Sequence, residues 1–307
     1  MRTALFASFS GVIALLILTG LCGCSRNASE QVVLYTSQDQ WLAEPILAEF
    51  ERQTGIRVLA LFDAEAVKTV GLANRLRAER NMPRCDLFWS NEELGLRTLV
   101  SEGVIVSNSW LTAGGRSRVM LINTNLVGPA EVPRSLRDLT EPRWKAKVAI
   151  AYPEFGTTRF HMGTLRLKWG DDLWVRWLDA LGRNGIRILD GNSAVANQVA
   201  NGAYAIGLTD SDDAQVQLRK NAPVVAVRIA EEMPLIFCTV GKVSGRESTP
   251  ASERLQKYIS SSEVITRMVA AGGLQWVQSP EPVSLPWARL LGQQESTITK
   301  IREVMKR

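Results

Sequence analysis

One histidine in 307 residues removes several kinds of chemistry at once. A zinc site built on paired histidines and a Ser/His/Asp triad both need more than His161 can supply. No Gly-x-Ser-x-Gly elbow is present to mark a hydrolase nucleophile. Cysteine is almost as scarce, with only Cys22, Cys24, Cys85 and Cys238, so no His/Cys metal cage can be assembled. Low-complexity runs and short-period repeats are absent, and 46% of residues are hydrophobic, which excludes a disordered chain and a solenoid. The net charge is +5, but its basic residues are scattered. The densest basic spot, Arg143 with Lys145 and Lys147, is too small for a nucleic-acid groove, so no nucleic-acid partner is expected.

What is present begins at the N-terminus. Arg2 is the only charge before a run from Ala4 to Leu21 of apolar or small residues. Leu21-Cys22-Gly23-Cys24 then places Leu at minus three, Gly at minus one and Cys at plus one relative to a cut before Cys24. That is the layout of a bacterial lipoprotein signal, with residues 1–23 removed, Cys24 acylated and 24–30 as a tether. An uncleaved membrane anchor and an ordinary signal-peptidase site are the competing readings. All three put residues 25–307 outside the cytoplasm, and the first gives a periplasmic or cell-surface protein anchored to the membrane by lipid. Export leaves Cys85 and Cys238, either as one disulfide or as two buried thiols packing as small hydrophobes; their apolar surroundings favour the thiols.

From residue 31 short β-type runs alternate with amphipathic stretches. Val32–Ser37, Ile56–Phe62 and Cys85–Ser90 read as strands, each followed by a helix, with Gly55 and Gly103 as stops. A second round follows: strands at Val119–Asn123, Val148–Tyr152, Ile186–Leu189, Ala203–Thr209 and Leu235–Val243, then helices to the end. Trp169, Trp174 and Trp177 have spacings that fit core packing, whereas Trp41 and Trp89 border the strand ends. This order predicts two sequential α/β units, with a ligand cleft beyond the carboxyl ends of their strands.

The motifs Leu34–Asp39 (LYTSQD), Phe50–Gly55 (FERQTG), Asp86–Asn91 (DLFWSN) and Arg116–Thr124 (RSRVMLINT) occur in that order. Phe155–Thr158 (FGTT), Gly191–Val195 (GNSAV) and Gly207–Ala214 (GLTDSDDA) continue the series. Together they resemble the ferric-iron-type group of ABC-transporter solute-binding proteins, within the two-lobed periplasmic binding protein class, over residues 31–285. The resemblance implies two α/β lobes closing on ligand about a hinge. Its crossings fall near Arg118–Asn123 and Leu235–Thr239. Lobe 1 is then 31–117 plus 236–275, and lobe 2 is 118–235 plus 276–307. Members that bind bare ferric ion carry paired tyrosines where this chain has Asp212 and Asp213, and a histidine about where it has Asp39. The tyrosinate iron site is therefore absent. Trp110–Gly115 is also shorter than the pattern implies, and Phe237-Cys238 replaces Pro-Asn.

The strand-end loops supply the candidate ligand set. Ser37, Gln38, Asp39, Glu65 and Asn91 belong to the first unit, and Thr157, Thr158, Asn192, Ser193, Asp210, Asp212 and Asp213 to the second. Carboxylates suit a hard cation, which makes Asp39, Glu65, Asp212 and Asp213 the metal candidates if the ligand is one. Thr157-Thr158 and Asn192-Ser193 open helices, where free N–H groups suit phosphate or carboxylate oxygens. Capping alone, by Asp210 or Ser211, also accounts for the 210–213 cluster.

The expected function is capture of ferric iron or an iron chelate by a monomeric binding protein, with no cofactor, and its delivery to an ABC permease. A zwitterionic or anionic solute such as an aminoalkylphosphonate is the alternative. An extracytoplasmic enzyme with aspartates as acid and base, or a tethered receptor, represents the other classes; no enzyme activity is expected.

Overall fold

Apolar runs rich in Val, Leu and Ile become strands, and the amphipathic stretches between them become helices that cover the sheet. The computed structural model of the chain describes residues 30–63, 70–276 and 284–305. The apolar leader, Cys24 and Glu65 lie outside the described residues. Among these residues no helix is long and apolar enough to cross a membrane.

In the first half, β1 (Gln31–Thr36) lies between β2 (Arg57–Phe62) and β3 (Leu87–Ser90), all parallel. α1 (Gln40–Thr54) buries the stripe Leu42, Ile46, Leu47 and Phe50 and ends at Gly55, whose φ of 72° closes the last turn. α2 (Val70–Ala78) and α3 (Glu93–Ser101) pack on the opposite face around Phe88, Leu96 and Leu99.

The two halves share one strand. β4 (Leu111–Asn123) pairs antiparallel through Leu111–Ser117 with β9 (Leu235–Lys242), which itself pairs β3. From Arg118 onward β4 pairs instead with β7 (Ile206–Asp210) on one side and β8 (Val224–Val227) on the other. β5 (Val148–Ala151) and β6 (Arg187–Leu189) extend the second half beyond β7 in parallel. The resulting order is β2-β1-β3-β9-β4-β7-β5-β6, with β8 beside β4. The exchange of partners falls between Ser117 and Arg118. The return passage runs through 228–234, ahead of the expected Leu235–Thr239, because β9 pairs only within the first half. The chain thus passes between the halves as two adjacent antiparallel segments, stitched at the junction by the Arg118 amide donating to the Pro234 carbonyl at 3.1 Å.

The second half is covered by α4 (Gly156–Trp169), α5 (Asp171–Arg183), α6 (Asn192–Ala200) and α7 (Ser211–Arg219). Trp174 and Trp177 are buried in its core, and Trp169 meets Trp177 edge-on at 5.2 Å. His161 is fully buried and donates from Nε2 to the Glu232 carbonyl at 2.8 Å; burial holds its pKa at about 3, so it is a neutral core residue. Cys85 and Cys238 are free buried thiols, packed in the cores on opposite faces of the first half. α8 (Pro250–Ile259) and α9 (Ser262–Ala271) cover the first half. α10 (Trp287–Gly292) then packs between α3 and α4, and α11 (Gln294–Met305) against α4 and α5.

The first third of β4, absent from the sequence reading, holds a bulge between Thr112 and Gly115. Gly114 has φ 81°, and a Cβ there would stand 2.5 Å from Leu274 and 2.6 Å from Ile265. Gly115 receives the returning chain, its carbonyl accepting from the Gln275 amide at 2.8 Å. Gly114→Ala therefore combines a left-handed backbone with overpacking. It should destabilise the fold by about 2 kcal/mol or more, read as a lower midpoint of thermal unfolding.

Candidate functional site

The site grows from the strand junction. Arg116 and Arg118 are two residues apart on β4, so both side chains leave the same face of the strand. Arg118 is fully buried. Its Nη1 donates to Asp210 Oδ1 at 2.7 Å and to Asn192 Oδ1 at 2.8 Å, and its Nη2 donates to the Leu208 carbonyl at 2.9 Å. Asp210 Oδ2 accepts from Thr157 Oγ1 at 2.7 Å and from Asn192 Nδ2 at 3.1 Å. This network ties β4 and β7 to the first turns of α4 and α6. Arg116 reaches the start of α7, with Nη1 3.0 Å from Asp212 Oδ2, and donates through Nη2 to the Asn91 carbonyl at 3.1 Å.

Three consecutive strand–helix turns of the second half leave their helices open. α4, α6 and α7 follow Phe155, Gly191 and Asp210 respectively, and none has a side-chain cap. α1, after Asp39, likewise lacks one. α3, α8 and α9 are capped by Glu92, Thr249 and Ser261, while α5, away from the cleft, also starts without a side-chain cap. Asp210 stands at the N-cap position of α7, but its carboxylate is engaged by Arg118, Thr157 and Asn192; Ser211, the other cap candidate, is already inside α7 and its Oγ accepts from the Ser117 amide at 3.1 Å, so neither caps the helix. Uncapped starts present N–H groups and the positive end of the helix dipole. They face a cleft of about 670 Å³ between the two halves.

Nine of the twelve anticipated residues line that cleft: Asp39 and Asn91 from the first half, with Thr157, Thr158, Asn192, Ser193, Asp210, Asp212 and Asp213 from the second. Ser37 and Gln38 do not. Ser37 Oγ is bound to Asn91, and Gln38 Nε2 donates to the Ser90 carbonyl at 3.2 Å, so both side chains brace the ends of β1 and β3. Trp89 is buried in the first core, whereas Trp41 lines the cleft. Carboxylate oxygens of Asp210, Asp212 and Asp213 lie within 4.8 Å of one another. Burial, with Asp210 and Asp39 nearby, pushes Asp212 up to about 6 despite Arg116. Burial and the charges of Asp212, Asp210 and Asp39 raise Asp213 well above the usual carboxylate range. Asp212 Oδ1 is buried and has no hydrogen-bond donor.

At the mouth, Arg219 at the end of α7 donates to the Ala271 and Ala270 carbonyls of α9, at 2.6 and 2.8 Å. A guanidinium on the negative end of a helix holds the two halves together there. Sequence reading missed Arg116, Arg118 and Arg219. The available signal for the first two was a pair of arginines in alternate positions at the start of an apolar strand.

Because Arg118 is the principal counter-charge of Asp210, Arg118→Met should destabilise the protein by about 3–5 kcal/mol. Arg118→Met with Asp210→Leu should recover part of that loss. Denaturant unfolding of the three forms checks it.

Against known proteins, a model of bacterial extracellular solute-binding proteins matches residues 32–272. The major ferric iron-binding protein of Neisseria meningitidis serogroup A is 23% identical over 214 residues, 64% of this chain. The match spans 63% of that relative's length. Iron-bound HitA from Pseudomonas aeruginosa has a TM-score of 0.76 at 18% identity, covering 90% of this chain and 99% of that one. AfuA from Actinobacillus pleuropneumoniae, with bound fructose-6-phosphate, has a TM-score of 0.74 at 17% identity, covering 91% and 99%. These likenesses show the two-lobed periplasmic binding protein fold. With the family model covering most of the chain, this protein belongs to the bacterial extracellular solute-binding protein family.

Proposed function

We propose that this chain is the solute-binding component of an ABC importer, and that it captures ferric iron as an anionic chelate. It is tethered outside the cytoplasm through Cys24, closes its lobes on the ligand and delivers it to the permease. The observation that carries the ligand class is the bipolar wall of the cleft. Uncapped starts of α4 and α6 offer N–H groups to chelator oxygens, while Asp39, Asp212 and Asp213 offer carboxylates to the metal. Thr158 and Ser193 line the same wall, where their hydroxyls would supplement the amides, whereas Thr157, Asn192 and Asp210 hold it in place. Glu65 is a further carboxylate candidate outside the described residues.

A zwitterionic or anionic solute such as an aminoalkylphosphonate is the second reading. Arg116 and Arg118 favour it, because they already offset two of the carboxylates a bare trivalent ion would need. The fructose-6-phosphate in AfuA is an anionic ligand in a protein of the same fold.

Native mass spectrometry with metal analysis of protein purified without chelators separates the two. Near-stoichiometric iron with an organic mass is expected; an organic adduct free of metal transfers the assignment to the second reading. Asp212→Ala with Asp213→Ala should weaken ferric citrate binding at least tenfold and leave the folded circular dichroism spectrum intact; unchanged affinity would remove both as ligands.

The raised carboxylates also predict a pH dependence. Asp212 and Asp213 hold protons in the ligand-free protein up to higher pH than ordinary aspartates, and a cation must displace them. Affinity should therefore fall as pH drops through about 6, with protons released on binding. Calorimetry in buffers of different ionisation enthalpy, corrected for the chelator's own titration, measures that release. Flat affinity between about pH 7 and 5 would exclude metal ligation by this pair.

A further inference from the structure

Resting on the chelate reading above, we propose that the cleft selects a ligand bearing an aromatic ring, an aryl chelator of the catecholate class that holds ferric iron. Among the described residues the only aromatic side chains left exposed are Trp41 and Tyr152, at 53% and 43%, and both line the cleft. Exposed rings scattered over a surface need no explanation, but rings confined to one concave site mark a binding wall.

The two rings come from opposite halves. Trp41 sits in the first turn of α1, and Tyr152 follows β5 directly. Tyr152 is stacked on Phe155, with ring centroids 5.2 Å apart and planes within 15°, and Phe155 also lines the cleft. Each ring is joined in sequence to charged or polar head-group machinery. Trp41 lies two residues after Asp39, and Phe155 immediately precedes the uncapped start of α4. A ligand whose charged head reaches both thus places its body between Trp41 and the Tyr152–Phe155 pair.

Size supports the same conclusion. About 670 Å³ greatly exceeds one ion with its coordinating oxygens and lies in the range of sites for ligands with a body. A catecholate supplies two adjacent anionic oxygens for the iron and a flat π-face for the rings. Citrate supplies the oxygens without the face. Stacking of this kind contributes about threefold to tenfold in affinity per ring.

The test compares three probes by calorimetry on the purified chain: ferric 2,3-dihydroxybenzoate, ferric citrate and iron-free 2,3-dihydroxybenzoate. The ferric catecholate should bind at least tenfold more tightly than ferric citrate. Trp41→Ala and Tyr152→Ala should each weaken ferric catecholate binding about threefold to tenfold, and Trp41→Phe should retain it. Both side chains are exposed, so the variants should keep the parent's unfolding midpoint. Citrate binding as tightly as the catecholate, or alanine variants within twofold of the parent, overturns the aromatic assignment. Iron-free dihydroxybenzoate binding as tightly as its iron complex, with the same sensitivity to Trp41→Ala, upholds the ring assignment and overturns the iron reading. Failure of all three probes to bind overturns both.

Discussion

The architecture depends on one buried ion pair, Arg118 with Asp210. Two charges at 2.7 Å, both shielded from water, are tolerated only where further hydrogen bonds satisfy the remaining donors and acceptors. Here Thr157, Asn192 and the Leu208 carbonyl complete the set. Each partner comes from a different part of the second half, so satisfying the pair brings β4, β7, α4 and α6 to one point. The cleft is the consequence, because these helices can start side by side only with their N-termini facing it.

The same arrangement changes the meaning of an acidic loop. Taken alone, Asp210, Asp212 and Asp213 suggest a strongly negative pocket. Arg118 engages Asp210, and Arg116 engages one oxygen of Asp212, which leaves Asp212 Oδ1 without a donor and Asp213 raised toward its neutral form. Protons partly offset the charge. The pocket therefore does not hold three bare charges in a low dielectric.

Elements whose signal is local were legible in the sequence. The stripe Leu42, Ile46, Leu47, Phe50 and its stop at Gly55 identify α1, and the runs around β1, β2, β5 and β7 identify strands. Strand-end placement also brought nine of the candidate residues to one cleft. The first part of β4 was hidden because Gly114 and Gly115 break the apolar alternation; the positions are small because α9's return segment packs on them. Ser37 and Gln38 were misplaced because a polar residue after a strand serves equally to brace it or to face a ligand. Asp210 resembled a helix cap because nothing local indicates that its partner is Arg118, 92 residues earlier. Charge pairing at that distance is a property of topology, and it becomes visible only when the sheet is assembled.

Topology also joins the floor of the cleft to its rim through a single element. α7 is nine residues long, about 13 Å. Its first turn carries Asp212 and Asp213, which line the cleft, and Arg116 reaches Asp212 from the part of β4 paired in the first half. Its last turn carries Arg219, which holds the end of α9 across the mouth. β4 and the 228–234 passage join the halves, and α7 touches the first half both at the floor of the cleft and at its rim. The acidic floor of the cleft and the clasp at its rim are thus carried by one element.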